Sequence, residues 1–346
     1  MRFLLYPFSV IYNSITTIRN WLFDYNILAS KSYAIPIICV GNLSVGGSGK
    51  TPQIKFLINL LKKEYKVAVL SRGYGRNSSG LQYIETTTSV SQAGDEPLLI
   101  KQTHPECLVV VEKNRNKGVQ SIMNDHPEID VILLDDGFQH RWIKAGLNIL
   151  LTPYNNPFSK DHLLPLGKLR ENSKGVCRAS IIVFSKCPEK MTPTEKKGLE
   201  SGLHLFAHQN LYFSTIKYNP WKCITTAEIL QVENRYSITL VSGIAHPLAI
   251  VTFLENKGHT ISHLNYDDHH NYSSKDIKEM LSVYNKDKST KKLILTTEKD
   301  AVKLNAFKDD FGDANIYVLP INIAFEKQEE FKKQILNYVE NNKRNR

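Results

Sequence analysis

Ile37-Ile38-Cys39-Val40-Gly41-Asn42-Leu43-Ser44-Val45-Gly46-Gly47-Ser48-Gly49-Lys50-Thr51-Pro52 passes from four apolar residues directly into a glycine-rich loop that closes on Gly-Lys-Thr. Glycines let successive backbone N–H groups curl toward one point. The lysine adds positive charge, and the threonine hydroxyl can ligate Mg²⁺ at a helix N-terminus, so the stretch reads as a phosphate cradle for a nucleoside triphosphate. The general pattern G-x-x-x-x-G-K-[ST] wants glycine where this chain has Ser44, and Gly46 and Gly47 offer positive-φ conformations from other positions. Ile54, Leu57, Ile58 and Leu61 then recur at helical spacing, with Pro52 tolerated in a first turn, so a helix is expected from Thr51 to Lys63.

Strand-like apolar runs follow at Lys66 to Leu70, Cys107 to Val111, Val131 to Leu134, Leu147 to Leu151 and Ala179 to Phe184, separated by helical or loop segments. Near-continuous apolar strands alternating with crossovers predict an α/β fold, with a mostly parallel sheet covered on both faces and ligands at the carboxyl ends of its strands. The pattern loosens after 215. A second, smaller α/β set is expected from Ser237 to Val241, a helix from Pro247 to about Asn256, another opening at Ser273 or Ser274, and strands at Leu293 to Thr296 and Ile316 to Leu319. The expected divisions are an N-terminal helix (1–30), a nucleotide-binding core (31–215), a linker (216–235), the smaller unit (236–325), and a C-terminal helix with a basic tail (326–346).

With 346 residues, 42% hydrophobic and 23% charged, the chain has enough apolar residues for two cores, and disorder is not the expectation. Its five cysteines are odd in number and widely spaced, with no CxxC pair, which argues for a reducing compartment and against a cysteine zinc site. The 44 basic residues against 34 acidic give a formal charge of +10, suited to a phosphorylated substrate or an anionic surface. No RNA-binding signature or basic-aromatic block supports nucleic acid.

Leu4, Phe8, Ile11, Ile15, Ile18 and Leu22 form one helical stripe, widened by Leu5, Tyr12 and Phe23, with Asn13, Ser14, Thr17 and Arg19 on the other face. The stretch is too short and mixed for a membrane span, and no clear cleavage site marks it as a secretory signal. Two readings remain: a helix lying in a membrane interface, or one buried against its own domain.

Val131–Leu134 ends in Asp135-Asp136-Gly137-Phe138-Gln139-His140, carboxylates placed where a P-loop protein holds Mg²⁺. Ser71-Arg72-Gly73-Tyr74-Gly75-Arg76 brings basic side chains to a strand end. Gly94-Asp95-Glu96-Pro97 offers a carboxylate able to take a hydroxyl proton. Arg170 and Glu171, after Leu163–Leu169, are candidates for steadying phosphoryl charge and supporting the metal. Tyr266-Asp267-Asp268-His269-His270 admits a metal site, a histidine orienting a carboxylate, or a surface loop, and Thr297-Glu298-Lys299-Asp300 lies at another strand end.

This ordered set, joined by Ser242-Gly243-Ile244-Ala245-His246-Pro247, resembles the tetraacyldisaccharide 4′-kinases over nearly the whole chain. A hydroxyl residue at position 44 is itself similar to that family, whereas His246 and Asp267 depart from its pattern. The resemblance implies ATP and Mg²⁺ as cofactors and an acylated glucosamine disaccharide 1-phosphate as acceptor, at the cytoplasmic face of a bacterial inner membrane. No obligate protein partner is inferred.

The resemblance also implies roles. Ser44, Gly46, Gly47, Ser48, Gly49, Lys50, Thr51 and Pro52 would hold the nucleotide; Thr51, Asp135, Asp136 and Glu171 would organise the metal. Asp95 would be the base, with His269 orienting it or sharing the proton, and Lys50 and Arg170 would steady the phosphoryl group. Arg72, Tyr74, Arg76, Gln139 and His140 would meet the acceptor. A soluble P-loop kinase of a small metabolite and a non-kinase ATPase or GTPase are the competing readings. Ser185-Lys186-Cys187 is faintly similar to guanine-recognition loops but lacks their aspartate.

Overall fold

The computed structural model describes residues 2–203, 205–226, 228–232 and 234–343, so most of the basic tail expected at 343–346 lies outside the described residues. The strands are β1 (Ile37–Asn42), β2 (Val67–Ser71), β3 (Gln82–Ile84), β4 (Leu108–Val111), β5 (Val131–Asp135), β6 (Leu147–Pro153), β7 (Ile181–Ser185), β8 (Asn210–Tyr218), β9 (Trp221–Cys223), β10 (Ile229–Leu230), β11 (Ser237–Ser242), β12 (Thr260–Asn265), β13 (Lys292–Thr297), β14 (Ile316–Leu319) and β15 (Ile321–Phe325). The α-helices are α1 (Tyr6–Asp24), α2 (Lys50–Leu61), α3 (Val90–Ala93), α4 (Asp95–Thr103), α5 (Arg115–Asp125), α6 (Pro193–Ser201), α7 (Leu248–Asn256), α8 (Ser274–Lys286), α9 (Glu298–Leu304) and α10 (Gln328–Asn342).

One sheet runs β15-β8-β7-β6-β1-β5-β2-β4-β3. Its strands from β8 to β4 pair in parallel, and β15 and β3 join antiparallel at the two edges. Every residue of β1, β2, β5 and β7 is buried, the signature of parallel strands covered on both faces. One face packs on α2, α4 and α10, with Ile54, Leu57, Ile58, Leu61, Phe331 and Ile335 fully buried; each such side chain contributes roughly 1.5–3 kcal/mol of burial. The opposite face, which includes Phe184 of β7, packs on Val119 and Ile122 of α5 and on Phe138.

The smaller sheet runs β10-β9-β14-β13-β11-β12 and carries its own cores, one around Met280 and Phe311, the other around Trp221 and Leu254. This division departs from the expected bounds. The segment 216–235, read as a linker, contains the end of β8 and the strands β9 and β10. β15, assigned to the smaller unit, instead pairs with β8 on the large sheet. Phe325 fixes that choice by stacking on Phe331 of α10, ring centroids 4.1 Å apart. The chain therefore crosses between sheets twice, at 219–220 and at Pro320, and Asn219 N donates to Pro320 O at 2.9 Å where the crossings meet.

α1 lies with its apolar stripe facing away from the protein. Phe8, Ile11, Ile15 and Ile18 are each about three-fifths exposed, which removes the reading of a helix buried against its own domain. Tyr12 and Phe23, expected to widen the stripe, point inward instead. The inner face is otherwise polar: Ser9 Oγ donates to Leu163 O at 2.8 Å, and Arg19 Nη2 donates to Gln139 O at 2.8 Å. Phe23 supplies the apolar anchor, edge-on to Trp142 at 4.9 Å. No helix among the described residues is long and apolar enough to cross a membrane.

Gly41 is demanded by close approach: a Cβ there would lie 2.6 Å from Phe138 Cβ, in the turn that follows β5. Gly41→Ala is expected to lower stability by about 1–3 kcal/mol, read as a lower urea midpoint at unchanged m-value. An unaltered midpoint would contradict this packing.

Candidate active site

The carboxyl ends of β1, β2 and β5 converge because their parallel register sets Val40 opposite Asp135 and Leu70 opposite Leu134. Asp135 is thereby buried beside the start of the glycine-rich loop. Ser71 Oγ donates to its Oδ2 at 3.0 Å, while Oδ1 is buried with no hydrogen-bond partner. Burial, reinforced by the charges of Glu96 and Asp136, pushes the Asp135 pKa up to about 7. Ser48 Oγ is a second buried oxygen without a partner. Such orphaned oxygens call for a cation and phosphate, so the donor chemistry here fits Mg²⁺ held with Thr51 at the start of α2. Among the described residues no three His, Cys, Asp or Glu side chains are grouped to hold a metal ion, so most ligands of such an ion would come from nucleotide and water.

The loop is held from outside. Val45 N donates to Lys168 O at 2.8 Å, Ser185 Oγ to Ser48 O at 2.7 Å, and Lys186 Nζ to Gly47 O at 2.6 Å. Gly49 caps α2 at φ +88°, a conformation that favours glycine, and Lys50 opens the helix. Lys50 Nζ lies 3.6 Å from Asp136 Oδ1, and Arg170 Nη1 donates to both Asp136 oxygens at 2.9 Å. Burial opposes ionisation of Asp136, but Lys50 and Arg170 outweigh it and lower its pKa.

A second cluster joins the two sheets. Asp95 is the first residue of α4, buried, where the helix N-terminus favours a negative charge. His269, at φ +64° after β12, sets Nδ1 2.8 Å from Asp95 Oδ2. Lys303 and Lys299 of α9 place their Nζ atoms 3.4 and 3.8 Å from the same oxygen. Burial pushes the Asp95 pKa up, but His269 and the two lysines dominate and hold it at about 2. The hydrogen bond to Asp95 raises the pKa of His269 in turn.

Other expected residues have different surroundings. Both Glu171 oxygens are occupied: Arg178 Nη2 donates to them at 2.8 and 2.9 Å, Gln139 Nε2 to Oε1 at 3.0 Å and Asn20 Nδ2 to Oε2 at 2.8 Å. That donor set leaves its carboxylate poorly suited to the metal role expected of it, and Gln139 is engaged with it and with Asn42 O rather than open to an acceptor. Arg76 Nη2 is turned back to Gly80 O at 2.7 Å, inside its own loop. Arg72 and Tyr74 are exposed, and Tyr74 lies 5.6 Å from the His269 ring. His140 is half-buried; burial, then Arg115, Arg19 and Arg72, lowers its pKa to about 4 and keeps it neutral. His270 pairs with Asp276 at 3.3 Å and stacks on Tyr266, leaving the metal alternative for 266–270 without a third ligand.

Sequence reasoning gives no role to Glu96, Lys186, Lys299 or Lys303. Lys299 and Lys303 are detectable as an i, i+4 pair on one helix face, directly after a strand end. Lys186 stands in a tripeptide compared with guanine-recognition loops; its side chain caps the glycine-rich loop instead.

Residues 1–340 match the family model described as LpxK, tetraacyldisaccharide-1-P 4′-kinase. The chain is 41% identical over 351 residues to the tetraacyldisaccharide 4′-kinase of Phocaeicola vulgatus, covering 99% of this chain and 96% of that one. It is 40% identical over 348 residues to that of Flavobacterium johnsoniae, covering 99% and 98%. Among solved structures it is similar to "apo" form LpxK from Aquifex aeolicus in complex with ATP, with a TM-score of 0.76, 32% identity, and 98% and 99% coverage.

The raised pKa of Asp135 makes its ionised form a destabilising charge in the nucleotide-free protein. The cost is absent below the unfolded value near ~4, grows as pH rises, and is complete above about 7. Asp135→Asn should therefore raise the thermal unfolding midpoint more at pH 8 than at pH 5. An equal change at both pH values would refute the raised pKa.

Proposed function

This chain belongs to the tetraacyldisaccharide-1-P 4′-kinase family, and we propose that it transfers the γ-phosphoryl group of ATP to the 4′-hydroxyl of an acylated glucosamine disaccharide 1-phosphate. The observation that carries this reading is the 2.8 Å contact between Asp95 and His269, which joins the two bodies beside Glu96, a group that also feels the charge of Lys50.

Phosphoryl transfer asks mainly for positioning and charge neutralisation. Lys50 and the amides of residues 46–50 are suited to the β- and γ-phosphates, and Ser48 offers its unpartnered hydroxyl. Thr51 and Asp135 would hold Mg²⁺, which would supply further charge neutralisation when bound. Arg170, donating to Asp136 at 2.9 Å, adds a second positive charge beside Lys50. Asp95 takes the proton of the attacking hydroxyl. A carboxylate with pKa about 2 is a weak base, but a loose transition state needs little base strength, and His269, donating from Nδ1 to Asp95 while its Nε2 accepts from Lys299 Nζ at 3.1 Å, orients that carboxylate.

The acceptor carries acyl chains and partitions into a bilayer. The outward apolar stripe of α1, together with the +10 charge, supports seating of the protein on an anionic membrane, and on this reading the surface is the cytoplasmic face of the inner membrane.

Purified protein in detergent micelles, given labelled ATP, Mg²⁺ and tetraacyldisaccharide 1-phosphate, should label the lipid; an unlabelled lipid fraction would defeat the proposal. Asp95→Asn and His269→Gln should lower kcat by roughly 10²–10⁴ while the KM for ATP changes by less than about threefold. Comparable loss of ATP affinity would undo these roles. Ile11→Glu combined with Ile15→Glu, on exposed positions, should abolish co-sedimentation with anionic vesicles; undiminished binding would reject α1 as the membrane contact.

A further inference from the structure

We propose that Glu171 is a positioning residue that couples the seating of α1 to the placement of Arg170 and Gln139 over the phosphate site, and that it is not a metal ligand. The inference rests on the kinase reading above and adds a coupling between membrane contact and catalysis.

α1 has an unusual attachment for an amphipathic helix, since the face it presents to the protein is the polar one. Its contacts fall on two stretches of chain, 163–172 and 139–141, the second including Arg141, which donates to Asn20 O at 2.8 Å and pairs with Asp24. Tyr12 OH donates to Arg170 O at 2.8 Å, Arg19 Nη2 to Gln139 O at 2.8 Å, and Asn20 Nδ2 to Glu171 Oε2 at 2.8 Å. Ser9 grips the first stretch further along, donating to Leu163 O at 2.8 Å and accepting from Leu166 N at 3.2 Å. Asn172 Nδ2 reaches Asn13 Oδ1 at 3.4 Å on its far side.

Glu171 is where these contacts pass into the site. It is buried, and its carboxylate joins three donors from separate places: Asn20 on α1, Gln139 in the turn after β5, and Arg178. Gln139 Nε2 also donates to Asn42 O, at the start of the phosphate loop, at 2.8 Å. The neighbouring Arg170 donates its backbone N–H to Leu43 O at 2.7 Å and its guanidinium to Asp136. A displacement of Glu171 therefore reaches the phosphate loop through Asn42 and Leu43, and the charged pair Asp136 and Lys50 through Arg170.

A buried polar network of this kind specifies geometry when every member is satisfied, and all four of the donor contacts to Glu171 are made. A helix attached mainly by hydrogen bonds has few buried apolar contacts to hold it, which marks it as a low-stability element. Seating its apolar face in a lipid interface would fix it in place. The Arg170–Glu171 segment would then be ordered at the moment the acceptor is within reach.

The test compares wild type, Asn20→Ala, Glu171→Gln and the double variant in the micelle assay, with kcat, the KM for ATP and the Mg²⁺ concentration for half-maximal rate measured for each. A wild type that labels no lipid would sink the kinase reading itself, before any variant is considered. With an active wild type, Asn20→Ala should lower kcat about fivefold or more, with the ATP KM and Mg²⁺ requirement within about twofold of wild type. The double variant should be no slower than Glu171→Gln alone, because both act through one contact. A tenfold or greater rise in the Mg²⁺ requirement of Glu171→Gln would instead make Glu171 a metal ligand. Asn20→Ala with unchanged kcat would show that α1 is not coupled to the site; because Asn20 lies on the peripheral helix, this arm holds even if Glu171→Gln fails to fold.

Discussion

The hydrogen bond between His269 and Asp95 ties together two bodies that each have their own apolar cores. On the proposed mechanism neither body completes the chemistry alone. The large sheet brings the phosphate loop, Asp135 and Asp95, while the small sheet brings His269, Lys299 and Lys303. A second tie lies behind the first, where Lys55 of α2 meets Glu298 of α9 at 2.5 Å, both largely buried. Paired charges hold best when they stay dry and geometrically fixed, so these ties favour one relative placement over a continuum of them.

Electrostatics divides the site into two carboxylates with opposite tendencies. Asp95 stands among three cationic partners and stays ionised, whereas burial, with Glu96 and Asp136 close by, raises the pKa of Asp135. That contrast suits the first to proton acceptance and the second to cation binding. It also accounts for the lysines on α9. Without Lys299 and Lys303 the buried Asp95 would have His269 as its main counter-charge, and its burial would count for more.

Much of this was legible in the chain. The Gly41–Pro52 loop, the strand into Asp135-Asp136 and the alternation of apolar runs established the α/β class, since each signal is local and periodic. Asp95 and His269 are separated by 174 positions, and their partnership came from family resemblance rather than from spacing. The surroundings of Glu171 were hidden for the same reason: Asn20 and Gln139 are remote in sequence, and a charged residue beside an arginine is compatible with many partners. Ile321-Asn322-Ile323-Ala324-Phe325 alternates as a strand should, but alternation does not say which of two sheets a strand completes. The stacking of Phe325 on Phe331 settles that, through a contact no local pattern encodes.

The late arrival of β15 bears on how the chain is made. Everything from β9 to β14 is inserted between two neighbouring strands of the large sheet, so the outer side of β8 stays unpaired until residue 325 has left the ribosome. The smaller unit is complete in sequence by residue 319 and, with its own cores, can fold first and bring the two crossings at 219 and 320 together. Closing that loop early removes most of the entropy cost of pairing strands about a hundred residues apart. The inserted unit then serves the large sheet twice, as the source of the groups that surround Asp95 and as the clasp that sets its edge.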